Sequence, residues 1–183
     1  MLMERQNCQL LLVDVQERLL PSMAGRESLL LNCRRLLEAS ALLDVPLTIS
    51  EQYRKGLGET EASLLEVSEH GTRFEKLHFG CAGDPAILFH LIGLKGSGRR
   101  QVVVAGMEAH VCVLQTAIGL ASAEFDVFVV ADAVTSRTER NRDFALDRMA
   151  RAGVRVVSTE MVVFEWLHVA GTDEFRTVSQ LIK

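Results

Sequence analysis

Residues Gln101 to Ala117 read Gln-Val-Val-Val-Ala-Gly-Met-Glu-Ala-His-Val-Cys-Val-Leu-Gln-Thr-Ala, and their character changes half-way. The first part is a short apolar run, Val102 to Ala105, behind the basic pair Arg99 and Arg100. A run of that length without polar alternation is the mark of a strand covered on both faces. Gly106 is expected to break it. Further on, Val113, Ala117, Leu120 and Ala121 recur at helical spacing. A buried strand passing into a helix is half of a parallel β–α–β unit, so this stretch points to the fold class. Cys112 falls at the join, near the first turn of the expected helix. A thiol there faces unpaired backbone N–H groups and the positive end of the helix dipole, both of which favour the reactive thiolate. The alternative is a small side chain packed between strand and helix, as free cysteines often are.

The same alternation extends in both directions. Towards the N-terminus, Gln9 to Val13 is a nearly continuous apolar run ending at Asp14. Leu29, Cys33, Leu36 and Leu43 predict a helix over Glu27 to Leu43, and Val45 to Ser50 predicts a second strand. Glu51 to Gly71 is polar, with a short helix expected around Ala62 to Val67, and a connection of that length is expected to serve function or a subunit contact. Arg73 to Lys76 predicts a short strand. Asp84-Pro85 pairs a cap with a first-turn proline, opening a helix through Leu94. Towards the C-terminus, Val127 to Ala131 predicts a strand ending at Asp132, Arg140 to Ala152 a helix, Val154 to Val157 the last strand, and Met161 to Leu167 a helix capped by Ser158-Thr159-Glu160. Asp173 opens a final short helix. Strands alternating with helices imply an α/β sandwich with a mostly parallel sheet, read here as one domain over residues 1–183.

Composition narrows the function. A net charge of −4 without a basic block argues against nucleic acid or an anionic membrane as partner. An aromatic content of 5% argues against a base-stacking surface. The N-terminal residues do not read as a signal peptide, and no apolar run reaches transmembrane length. Cys8, Cys33, Cys81 and Cys112 form no CxxC pair, so a zinc knuckle or redox motif is not expected, and free thiols fit a cytoplasmic protein.

If Cys112 attacks a carbon centre it needs a base. Asp14 ends an apolar strand, where a carboxylate is poorly solvated, although a loop cap is common at such positions. His110 lies two residues before Cys112, but residues two apart in a tight turn often point different ways. Lys76, taken alone, reads as a surface charge.

Together these residues match a known pattern. The words Leu-Leu-Val-Asp-Val-Gln (Leu11 to Gln16), Phe-Glu-Lys (Phe74 to Lys76) and Gly-Met-Glu-Ala-His-Val-Cys-Val-Leu-Gln-Thr-Ala (Gly106 to Ala117) resemble those of the isochorismatase-like cysteine hydrolases. Glu-Gln-Tyr-Arg-Lys-Gly-Leu-Gly (Glu51 to Gly58) brings the likeness closest to the isochorismatase domain-containing subgroup. The resemblance implies a three-layer α/β/α sandwich with a six-stranded sheet. It implies a triad in which Cys112 attacks, Asp14 carries the proton and Lys76 supports both. It further implies an oxyanion hole made by the N–H groups of Glu108 and Cys112, beside a cis peptide bond between Met107 and Glu108. Family members that hold a divalent metal carry an Asp-x-His word after the second strand. Here that place reads Ser50-Glu51-Gln52-Tyr53, so no metal and no cofactor are expected. The expected reaction is cleavage of a small amide or related acyl compound through a thioester, in a homo-oligomer. Gln52, Tyr53, Phe79, His110 and Ser136 are expected to line the substrate pocket. A low-turnover binding or scaffold protein, or a thiol-based redox sensor, are the alternatives.

Overall fold

Cys8 to Val13 forms a strand buried at every position, β1, and the sheet is built outward from it. The computed structural model describes residues 1–182. In chain order the elements are β1 (Cys8–Val13), α1 (Arg26–Leu42), β2 (Leu47–Gln52), α2 (Arg54–Leu57), α3 (Ala62–Leu65), β3 (Thr72–Lys76), α4 (Pro85–Gly96) and β4 (Gln101–Met107). A π turn (Ala109–Val113) leads into α5 (Leu114–Ser122), followed by β5 (Asp126–Thr135), α6 (Glu139–Arg151), β6 (Arg155–Val157), α7 (Thr159–Leu167) and α8 (Asp173–Val178). The six strands lie in the order β3-β2-β1-β4-β5-β6, and every adjacent pair is parallel.

Two apolar layers cover the sheet, giving the three-layer sandwich. One face of the strands packs with Leu29, Cys33 and Leu36 of α1 and with Val163 and Trp166 of α7. The other packs with Ile87 and Leu91 of α4, Ala117 and Leu120 of α5, and Ala145 and Met149 of α6. Each fully buried Leu, Ile or Val side chain contributes about 1.5–3 kcal/mol, which is why the unbroken apolar runs of β1 and β4 occupy the centre. From β1 the chain winds one way through β2 and β3, then returns to the other side of β1 for β4 to β6. The carboxyl ends of β1 and β4 therefore flank the point where strand order reverses, where sheets of this kind place ligands.

Three expectations are corrected in detail. Gly106 does not end β4, which continues through it to Met107. Gly106 has φ +123°, and a Cβ there would stand 2.1 Å from the Val13 carbonyl oxygen, so glycine lets β4 pass hard against β1. Next, β2 runs Leu47–Gln52 because Ser50 and Gln52 pair with Phe74 and Lys76 of β3. Finally, β5 continues past Asp132 to Thr135, with a register shift against β4 that takes up the irregularity. The Asp84 cap is as read, its side chain accepting from the N–H groups of Ala86 and Ile87.

Candidate active site

Asp14 sits immediately after β1 at φ 52°, where the chain turns sharply. Its N–H donates to the Ser50 carbonyl at 3.0 Å. Its carboxylate is wholly buried, with Oδ2 2.7 Å from Lys76 Nζ and Oδ1 accepting from Ser50 Oγ at 2.7 Å. Burial raises the pKa of Asp14, and the Lys76 charge and the hydrogen bonds of Lys76 and Ser50 oppose that rise. Lys76, at the end of β3, has no exposed side-chain surface. Its ammonium donates to Asp14 Oδ2, to Gln52 Oε1 at 2.8 Å and to the Phe79 carbonyl at 3.0 Å. An ammonium has three N–H bonds, so each proton is matched by an acceptor.

Cys112 lies on the π turn beside Asp14, with 6% of its surface exposed. The thiolate expected from the helix start is not what this environment favours. Cys112 precedes α5 instead of opening it, and burial, followed by the Asp14 charge, pushes the thiol up, with Lys76 opposing. This environment favours the protonated thiol, and it faces a carboxylate whose affinity for protons is itself raised by burial. π turns interrupt the regular ladder and recur at functional sites. Here the N–H groups of Val111 and Val113 both donate to the Glu108 carbonyl, at 3.1 and 3.2 Å, leaving the Cys112 N–H between them out of that pairing. The Met107–Glu108 peptide bond is cis. The Glu108 carboxylate is held by Arg137 in a two-pronged contact, with Nη2 2.9 Å from Oε1 and Nε 3.1 Å from Oε2.

Four of the five residues expected to line a pocket fall into two groups. His110 Nδ1 lies 2.9 Å from Ser136 Oγ, on the β4–β5 side of the site. Tyr53 and Phe79, on the β3 side, are 49% and 55% exposed. Gln52 belongs to neither group. Its Oε1 accepts from Lys76 and its Nε2 donates to the Leu77 carbonyl at 2.9 Å, so it stands behind the lysine instead of on an open wall. A groove of about 500 Å³, lined by Leu77, His78, Phe79, Gly80 and Gln115, opens beside the end of β3. Among the described residues no group of three His, Cys, Asp or Glu side chains is placed to hold a metal. Sequence reading missed Ser50. The signal was the polar alternation Thr48, Ser50, Gln52 along β2, which puts three polar side chains on one sheet face.

The isochorismatase domain model matches residues 8–161. The chain belongs to the isochorismatase domain family. Isochorismatase domain-containing protein 1 of Salmo salar is 36% identical over 174 residues, covering 93% of this chain and 59% of the relative. The chain thus spans under two thirds of that relative's length. The structure named MAR1 ribonuclease from Caenorhabditis elegans superposes with a TM-score of 0.92 at 32% identity, covering 100% of this chain and 92% of the other. The YcaC gene product of Escherichia coli, described as an octameric hydrolase of unknown specificity, has a TM-score of 0.89 at 22% identity, with 98% and 89% covered, and shares the fold.

Proposed function

We propose that this isochorismatase-domain protein is a metal-independent cysteine hydrolase that cleaves a small amide or related acyl compound through a thioester. One observation carries the reading: a thiol, a carboxylate and an ammonium delivered from the carboxyl ends of β4, β1 and β3 meet at one buried point. The Cys112 sulfur forms a bond to the substrate carbonyl carbon as its proton passes to Asp14. The carbonyl becomes an oxyanion, stabilised by the N–H groups of Glu108 and Cys112. Collapse breaks the C–N bond, and Asp14 returns the proton to the departing amine. Water then attacks the thioester, giving its proton to Asp14, and the released sulfur regains a proton from Asp14. A carboxyl group with raised pKa suits both halves, since it takes a proton more readily than an ordinary carboxylate. Lys76, whose three N–H bonds are engaged, steadies Asp14 and offsets negative charge without a donor left for substrate. Tyr53, Phe79 and His110 are the residues proposed to contact the substrate, with the buried Ser136 hydroxyl steadying the His110 ring.

The test is a screen of small amides and acyl esters, with rapid acid quench and mass spectrometry of the Cys112 peptide. The expected result is an acyl adduct on Cys112 that decays by hydrolysis. Binding without any adduct would favour the low-turnover scaffold reading. A relative named as a ribonuclease makes an RNA oligomer a necessary arm of the screen. No cleavage is expected there, given a net charge of −4. The reading extends to a homo-oligomer, as the octameric fold neighbour suggests, acting as one catalytic domain in the cytoplasm, where four free cysteines are at home.

A further inference from the structure

We propose that Ser50 is a positioning residue of this site: its hydroxyl fixes the Asp14 carboxylate and governs its readiness to take the Cys112 proton. The proposal rests on the hydrolase reading for its meaning, and its test uses no substrate.

Ser50 holds Asp14 twice. Its carbonyl accepts from the Asp14 N–H at 3.0 Å, and its hydroxyl donates to Oδ1 at 2.7 Å. With Lys76 on Oδ2, each carboxylate oxygen has one fixed donor, so the plane of the group cannot turn without breaking a buried bond. Ser50 itself is fully buried. Thr48, two residues earlier on the same strand, provides an internal contrast, because its buried hydroxyl has no hydrogen-bond partner among the described residues. A polar side chain on that face of β2 is therefore not matched by default; the Ser50 hydroxyl donates to Asp14, with the Cys81 thiol also in contact with it. The ionisable groups facing Asp14 are Lys76 from β3, Cys112 from the π turn and Cys81 from the turn before α4. The N–H of Cys81 is tied to Thr116 Oγ1 at 2.9 Å, one helical turn beyond Cys112. Lys76 is the one cation in this set, and Ser50 is the only further hydroxyl donor to the carboxylate among the described residues. A donor to a carboxylate favours its charged form, so loss of the hydroxyl makes Asp14 hold its proton more tightly.

The experiment measures the rate at which iodoacetamide alkylates Cys112 as a function of pH, read by mass spectrometry on the intact folded protein. Cys112 is the reporter because Cys8, Cys33 and Cys81 have no exposed surface. Protonation of Asp14 removes the acceptor for the thiol proton and sets the acid limb of the profile. Ser50→Ala should move that limb up by about one to two pH units, the equivalent of one hydrogen bond to a charged group. Ser50→Thr, which restores a hydroxyl, should bring the limb back towards the parent, and Thr48→Val should leave it in place. If Ser50→Ala does not fold, Ser50→Cys carries the same expectation with a weak donor of similar size. An acid limb in Ser50→Ala or Ser50→Cys that coincides with the parent overturns the proposal. So does a Ser50→Thr limb as displaced as that of Ser50→Ala. A screen that finds no acyl adduct, alongside a displaced limb, refutes the hydrolase reading and leaves the role of Ser50 standing.

Discussion

Asp14 and Asp132 each follow an apolar run of strand length, and both are read from the sequence as lying just past a strand's carboxyl end. In the fold they do different things. Asp14 stands beyond β1, fully buried between Ser50, Lys76 and Cys112. Asp132 lies within β5, where Oδ1 accepts from the N–H and hydroxyl of Thr159 at 2.8 and 2.9 Å and pins the start of α7. The difference is one of address. β1 is central, beside the point where strand order reverses, so three strand ends deliver side chains to Asp14. β5 lies one strand further from that point, and the partner of Asp132 is Thr159 at a neighbouring helix start, through both its N–H and its hydroxyl. A carboxylate after a strand becomes reactive only where the topology brings a thiol and a cation to meet it.

The largest test of that contrast removes the group that Asp14 serves. Cys112→Ala should abolish the acyl adduct and lower turnover by at least about 1000-fold, measured by quenched mass spectrometry and product assay. Retained turnover would remove the reason for separating the two aspartates. Asp14→Asn should reduce turnover by about 100- to 10,000-fold, the usual range for a proton-transfer group, while the fold persists by circular dichroism. Lys76→Met leaves a buried carboxylate without its cation and should cost about 3–5 kcal/mol in denaturant unfolding. The double variant Asp14→Asn/Lys76→Met removes both charges and should recover much of that loss. Asp132→Ala should cost about 1–3 kcal/mol through two lost hydrogen bonds, with turnover unchanged. A drop in turnover comparable to that of Asp14→Asn would erase the distinction.

The smallest effect is a matter of pH. The pKa of Asp14 is raised in the fold, so the folded state binds its proton more tightly than the unfolded chain does. Its contribution to stability is therefore fully present below the unfolded carboxylate value and is lost as pH rises through the folded one. The activity has the opposite sense: turnover should fall as pH drops and Asp14 takes up a proton, with the midpoint above the ordinary carboxylate range. An acid limb at the value of a free aspartate would contradict the burial argument. Asp132→Ala should leave the limb where it is.

Much of this was legible in one dimension. The apolar runs placed the central strands β1, β4 and β5, since a strand buried on both faces is largely apolar, whereas β3, Thr-Arg-Phe-Glu-Lys, carries no such run, and the words around Asp14, Lys76 and Cys112 marked the candidate triad. Strand ends were less legible. β5 runs on to Thr135 because pairing with β4 resumes beyond the register shift, and such pairing leaves little trace in local composition. Gly106 read as a break because glycine usually is one, whereas the close approach of Val13 decides its role.

The sequence by itself determined the alternation of buried strands and amphipathic helices and the residue types available for chemistry, because periodicity and side-chain identity are local properties. Only the tertiary structure decided the state of those groups. Burial is set by what packs against a residue from distant parts of the chain, and at Cys112 it pushes the thiol up, against the pull of a helix start towards the thiolate. The same packing put Gln52 behind Lys76, joined Ser50 to Asp14, and gave Asp132 to the start of α7.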